Sequence, residues 1–355
     1  MTSPIDPTPF HERMQPSHHE HGFRMDGYWV WCGSVVKGPD GQYHMFASRW
    51  PKKHPFFQGY LAASEVVRAV ADRPEGPYTF AEVVLPRRAE SFWDAKMTHN
   101  PNIVPYGDEY LLFYIGATYE GDTPTAEAMH RRRAQPGGNG DIFPWYTDIR
   151  IGMARAPSPL GPWQRPDTPT LDITPDGWDH RVVTNPCPCV GPDQQLYLYY
   201  RSGHAKLGLA IADTPDAPFV KYGQQPVVDP GEGRRIEDPC VFWAENQFQM
   251  VCKDLTGEIT GEFHAAVHLL SDNDIDWQPA PTIKAWSRTL SWADGTTTTQ
   301  ASIERPYVFF ENNQATWLFA ATADGPGPGD KRPGHYFAEN TWNMAIPLTT
   351  PSRSS

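Results

Sequence analysis

One arrangement of apolar and polar positions recurs five times along the chain. A strand-length apolar run leads to a polar turn, and a second run rich in aromatics follows. The turns are Gly38 to Gly41, Tyr106 to Glu109, Gly191 to Gln194, Ala244 to Gln247 and Glu311 to Gln314. Their Gly, Pro, Asn and Asp residues suit a chain reversal, so each unit predicts a β-hairpin. Four units open on a motif that ends in Pro: THNPNIVPYGDEYLLFYIG (98–116), TNPCPCVGPDQQLYLYYRS (184–202), IEDPCVFWAENQFQMVCKD (236–254) and IERPYVFFENNQATWLFAA (303–321). A degenerate unit, WCGSVVKGPDGQYHMFASR (31–49), comes first and lacks the Pro.

Further strands follow the hairpins. In the first three units a strand ending in Ala runs into a small polar segment, then Gly-Pro or Ala-Pro and an aromatic (65–85, 149–166, 206–223). The fourth carries HAAVHLLSDNDIDWQPA at 264–280. Four strands recurring every ~60–80 residues describe propeller blades. The expected fold is all-β: a five-bladed β-propeller with four-stranded antiparallel blades around a central channel. One domain would span 1–355, with blades at approximately 31–90, 98–172, 184–230, 236–292 and 303–348. The last blade would be completed by an N-terminal strand or by TWNMAIPL, which ends at Leu348. Two stretches break the pattern, at 117–148 and 325–340; the first contains the run Arg131, Arg132, Arg133.

Composition narrows the class. The 37 Pro residues disfavour long helices, and 13 Trp, 15 Tyr and 17 Phe disfavour disorder. No apolar run approaches the ~20 residues of a membrane span. A net charge of -12 lacks the basic footprint of a nucleic-acid binder. Five cysteines without framework spacing read as buried reduced thiols. No basic-then-apolar leader opens the chain, so a cytoplasmic location is expected. His18, His19 and His21 with Glu20 have the composition of a metal cluster, but they read as part of a polar arm. No metal ligand set is therefore assigned.

In a propeller the innermost strands ring a channel, and their opening ends meet at one mouth. The opening motifs place His99-Asn100-Pro101, Thr184-Asn185-Pro186, Glu237-Asp238-Pro239 and Glu304-Arg305-Pro306 there. Glu237, Asp238 and Glu304 are candidate catalytic acids, because crowded carboxyls are driven to different pKa values, as acid–base work requires. The first unit has no such pair, and Asp26 is its nearest acid. His99, Asn100, Asn185 and Arg305 are candidate binding residues from the same register. Lys253 and Arg49 end second strands, and His264 opens a third. Asp94 and Asp179 follow Trp93 and Trp178 and also suit loop caps. Trp31 offers a face for a sugar ring.

These motifs carry a resemblance that covers about residues 26 to 348. The chain resembles the five-bladed propeller glycosidases (arabinanases, β-xylosidases, invertases and levansucrases) and is most similar to glycoside hydrolase family 43-like and family 117-like proteins. The resemblance implies an exo-acting, inverting glycosidase that removes a terminal sugar from an oligosaccharide or glycoside. It implies Asp26 as base or nucleophile, Asp238 as the acid that tunes pKa and orients substrate, and Glu237 or Glu304 as general acid. Family 117-like enzymes use a His as acid, which adds His99 and His264. The sequence departs from that pattern: Gly33-Ser34 stands where the first blade usually has Asp-Pro, and His99-Asn100 where the second usually has Asp. No cofactor is implied, although a structural cation could sit in the channel. A glycoside phosphorylase and a non-catalytic carbohydrate-binding propeller are the alternatives.

Overall fold

The apolar runs pair with their neighbours in sequence, and the result is five antiparallel sheets around one axis. The structure, a computed structural model, describes residues 8–122, 125, 144–191, 193–203, 205–324 and 338–349. Arg131–Arg133 and most of both expected insertions lie outside the described residues. Blade one contains β1 (Tyr28–Lys37), β2 (Tyr43–Pro51), β3 (Glu65–Ala71) and β4 (Thr79–Leu85). Blade two contains β5 (Met97–Tyr106), β6 (Glu109–Ala117) and β7 (Arg150–Ala156). Blade three contains β8 (Thr184–Val190), β9 (Leu196–Ser202), β10 (Lys206–Ala212) and β11 (Val220–Lys221). Blade four contains β12 (Ile236–Ala244), β13 (Gln247–Asp254), β14 (Ala266–Ser271) and β15 (Gln278–Trp286). A small hairpin, β16 (Thr289–Ser291) with β17 (Thr297–Thr299), precedes blade five: β18 (Ser302–Glu311), β19 (Gln314–Ala323) and β20 (Thr341–Pro347).

The innermost strands β1, β5, β8, β12 and β18 pack in that order, and β18 returns to β1. Burial falls outward. Eight consecutive residues of β1 are buried, whereas β4 is exposed or half-buried at every residue but Leu85. The two three-stranded blades gain edge pairing from isolated bridges. In blade two these are Arg155 with Gln164 and Ile151 with Leu171. In blade five the N-terminal segment supplies them, through Phe23 to Asn343 and Met14 to Leu348. Both segments expected to complete the last blade therefore contribute. Phe23 also bridges Tyr78 of the loop before β4, so this segment ties the last blade to the first. A helix, α1 (Phe10–Arg13), precedes that segment, and α2 (Phe56–Ala63) is inserted between β2 and β3. Among the described residues no helix is long and apolar enough to cross a membrane.

The recurring Trp-Asp pair does the same packing job in two blades. Trp93 stacks on Tyr114 of β6 at 5.5 Å, and Trp178 stacks on Tyr200 of β9 at 5.9 Å. The Asp beside each Trp accepts that tyrosine's hydroxyl: Asp94 from Tyr114 and Asp179 from Tyr200, both at 2.9 Å. Glycine makes the space, since a Cβ at Gly152 or Gly208 would lie 2.6 or 2.7 Å from the indole. Asp94 also holds Arg88 at 2.7 Å and pairs with Arg165, while Asp179 pairs with Lys221 at 2.5 Å. Neither aspartate joins the acids of the channel mouth. The physical reason is that each is fully engaged under its own blade. Asp94→Ala would remove the buried carboxylate that Arg88, Arg165 and the Tyr114 hydroxyl share. It should lower stability by about 3–5 kcal/mol in urea titrations, whereas Asp26→Ala, on an exposed turn, should stay within about 0.5 kcal/mol.

Candidate functional site

Each innermost strand slips register near its start, and the slip puts one residue of every blade in the left-handed region. The breaks fall between Trp31 and Ser34, His99 and Asn102, Thr184 and Cys187, Glu237 and Cys240, and Glu304 and Tyr307. The residues with positive φ are Cys32, Asn100, Asn185, Asp238 and Arg305, between 51° and 61°. Asn and Asp tolerate this conformation; Cys and Arg do so at a cost of ~1–2 kcal/mol. The bulge turns all five side chains toward the axis.

There they form one hydrogen-bonded chain. The Cys32 thiol donates to Asn100 Oδ1 at 2.7 Å, Asn100 Nδ2 to Asn185 Oδ1 at 3.2 Å, and Asn185 Nδ2 to Asp238 Oδ1 at 2.6 Å. Arg305 closes on Asp238 through Nη1 at 2.6 Å and through its backbone N–H at 3.3 Å. These residues and the prolines beside them line a cavity of only about 30 Å³. Deeper in the channel, further bonds join neighbouring blades. Ser34 Oγ accepts Ile103 N at 3.2 Å, Cys187 Sγ accepts Val241 N at 3.2 Å, and Cys240 Sγ accepts Val308 N at 3.4 Å. That role accounts for two of the buried thiols.

The acids meet on the mouth side of the ring. The nearest oxygens of Glu237, Asp238 and Glu304 all lie within 4.8 Å of one another. Lys253 Nζ reaches all three, at 2.6, 3.6 and 2.9 Å respectively. Arg201 approaches Glu237 at 3.7 Å, and His264 Nδ1 approaches Glu304 at 3.6 Å. With Arg305 on Asp238, three carboxylates face three permanent cations, as a buried cluster requires. These acids are also the set that could hold a channel cation, and any such ion would compete with the Lys253 ammonium.

The cluster separates its members' proton affinities. Burial raises Glu237, but Lys253, Arg201 and Arg305 outweigh it and hold the carboxyl down to about 2. Burial raises Asp238, the neighbouring Glu237 and Glu304 add to it, and the group ends at about 6 against Arg305 and Lys253. Burial opposes the charge on Lys253, yet the three carboxylates keep its pKa above the ordinary value.

The structure brings Glu237, Asp238, Glu304, Arg305, Lys253 and His264 together, with Asn100 and Asn185 in the ring beneath. Asp26 is not among them. It lies on an exposed turn and lines a separate cavity of about 580 Å³ with Lys52, Trp292 and Trp342. The first blade's place at the axis belongs to Cys32, whose thiol burial pushes well above its ordinary pKa. Arg49 stays inside its blade, over the rings of Tyr28 and Phe80 and paired with Glu65 at 2.9 Å. Trp31 is buried against Phe56 at 5.1 Å, so its face is covered. His99 is buried between Tyr60 and Trp50, with Ser64 Oγ at 2.7 Å from Nδ1 and Cys32 Sγ at 3.5 Å from Nε2. Burial and then Arg305 lower its pKa well below the ordinary value.

Sequence reasoning missed Arg201, which also binds the Tyr146 hydroxyl at 2.7 Å. A signal existed: Arg201 stands opposite Thr184 in the register where Lys253 stands opposite Glu237. Asp254, beside Lys253 at the end of β13, has a structural role. That carboxylate accepts backbone N–H groups from Thr256, Gly257, Ile259 and Thr260, and so shapes the loop that delivers His264.

No protein-family model matches the chain, and no curated protein matches it in sequence. Solved structures do match in shape. Zg3597, a family 117 glycoside hydrolase from the marine bacterium Zobellia galactanivorans, is 15% identical, with a TM-score of 0.62 over 94% of this chain and 88% of that one. A thermostable family-43 glycoside hydrolase is 12% identical, with a TM-score of 0.60 over 96% and 98%. CoXyl43, a GH43 β-xylosidase/α-arabinofuranosidase from a compost metagenome solved with xylotriose, is 13% identical, with a TM-score of 0.58 over 96% of both chains. The five-bladed propeller of this chain is thus the fold of these glycoside hydrolases.

The depressed Glu237 carboxyl has a consequence for stability. Its ionised form stabilises the fold above the ordinary value of 4.5, and that contribution is lost as pH falls toward about 2. Glu237→Gln should flatten this acid limb, read as urea midpoints measured between pH 5 and 2; superimposable wild-type and variant profiles would contradict the ion-pair assignment.

Proposed function

We propose that the chain is a glycoside hydrolase acting on an oligosaccharide or glycoside at the Glu237–Asp238–Glu304 mouth. The observation that carries this reading is the meeting of three buried carboxyls at one point, with their nearest oxygens within 4.8 Å of one another and Lys253 Nζ in reach of all three. The surrounding cations lower Glu237 while burial raises Asp238, the division of roles between an anion that stabilises an oxocarbenium-like transition state and an acid that carries a proton. The likeness in fold to glycoside hydrolases supports the same class. Inversion requires carboxyls ~6.5–9.5 Å apart, with water between them. The trio lies closer than that, so an inverting reaction would draw its base from outside the trio. The reading needs no cofactor.

A second reading, phosphorolysis, is favoured by Arg201, Lys253 and Arg305 converging on the same acids, because phosphate in place of water would need such cations. A panel of aryl furanosides, aryl pyranosides and oligosaccharides, assayed with and without inorganic phosphate, separates the two. Hydrolysis predicts phosphate-independent release of sugar. Glu237→Gln, Asp238→Asn and Glu304→Gln should each lower turnover by about 10²-fold or more while circular dichroism stays native. Sugar binding without turnover in any condition would overturn both enzyme readings.

A further inference from the structure

The N-terminal arm that ties the last blade to the first is built around a turn of histidines. His21 N donates to His18 O at 3.1 Å, and the turn brings His18, Glu20 and His21 together. One ligand atom from each lies within 4.8 Å of the others, with His18 Nδ1 and Glu20 Oε1 at 3.5 Å and the two imidazoles at 4.6 Å between centroids.

The turn is anchored at both ends. Before it, Ser17 Oγ donates to Ala345 O at 2.5 Å and Ser17 N to Ser291 O at 3.3 Å. After it, Gly22 N donates to Glu75 O at 2.8 Å, and Phe23 exchanges both backbone bonds with Asn343. His19 is turned aside, stacked on Trp292 at 4.0 Å and paired with Asp294 at 3.4 Å. The backbone therefore holds three donors in place without help from a ligand.

One donor is unsatisfied. His21 is only 8% exposed, and its Nδ1 has no hydrogen-bond partner among the described residues. Two imidazoles and one carboxylate suit zinc or another divalent transition metal rather than calcium or magnesium, which prefer oxygen cages.

We infer that His18, Glu20 and His21 form a divalent transition-metal site that clamps the N-terminal arm across the junction of the last and first blades. Three protein ligands leave one position for water, and the ion is held at the surface, away from the acid cluster of the mouth. Because it binds only the closed arm, the metal stabilises the folded ring in proportion to its occupancy. The inference does not depend on the reaction proposed above.

The experiment uses the full chain, stripped of metal with a chelator and titrated with Zn²⁺ by calorimetry and thermal melting. The expected result is one ion per chain and a rise in melting temperature. His18→Ala, at a half-exposed side chain, should weaken binding by at least about tenfold, with His19→Ala unchanged. Co²⁺ should give visible d–d absorption that His18→Ala removes. His21→Asn serves as a second ligand variant. Absence of binding by the wild-type chain would overturn the site. So would binding that survives both ligand variants, or binding lost instead in Glu237→Gln, which would put the ion in the channel.

Discussion

Everything at the centre of this molecule depends on one hydrogen-bonded chain that runs from blade to blade around the axis. Five equivalent bulge residues, one from each blade, pass a chain of bonds from the Cys32 thiol through Asn100 and Asn185 to Asp238, and Arg305 completes it from the other side. Each bond of this buried chain joins one blade to the next, so each blade positions the polar group of its neighbour. The left-handed backbone at Cys32 and Arg305 is unfavourable locally, and the ring is what holds it. Closure by the N-terminal segment, through Phe23 to both Asn343 and Tyr78, supports the same constraint from outside.

The acid cluster is a consequence of that ring. Asp238 belongs to both, so the residue that anchors Arg305 at the axis also faces Glu237, Glu304 and Lys253. Fixing Asp238 fixes the neighbours that the bulge places one residue earlier, Glu237 and, in the next blade, Glu304. The ammonium of Lys253 and the guanidinium groups of Arg201 and Arg305 balance the three carboxylates. The balance is uneven by position: Glu237 is surrounded by cations, whereas Asp238 carries the burial and the repulsion. This asymmetry gives one site two different carboxyls.

Within the blades, repetition serves packing as much as chemistry. The Trp93-Asp94 and Trp178-Asp179 pairs each stack an indole on a tyrosine and cap its hydroxyl, over a glycine that leaves room for the ring. A motif can recur because the architecture needs it, and these two aspartates belong to that class. Cys187 and Cys240 belong to it as well, as acceptors of backbone N–H groups from the next blade.

The sequence by itself determined the five-fold hairpin repeat, the all-β class and the motifs that open the innermost strands, because alternation, turn residues and Pro positions are local properties of a strand. It also placed Glu237, Asp238, Glu304 and Arg305 in one register, since equivalent positions of repeated blades must converge. It had no means of telling which side chain of the degenerate first unit reaches the axis. Asp26 was the nearest acid in sequence, but the bulge after Trp31 turns Cys32 inward and leaves Asp26 on an exposed turn. Arg201 and the shielding of His99 by Tyr60 and Trp50 were likewise decided across strands and blades. Burial, charge balance and proton affinity depend on distances between residues far apart in the chain, and only the closed ring sets those distances.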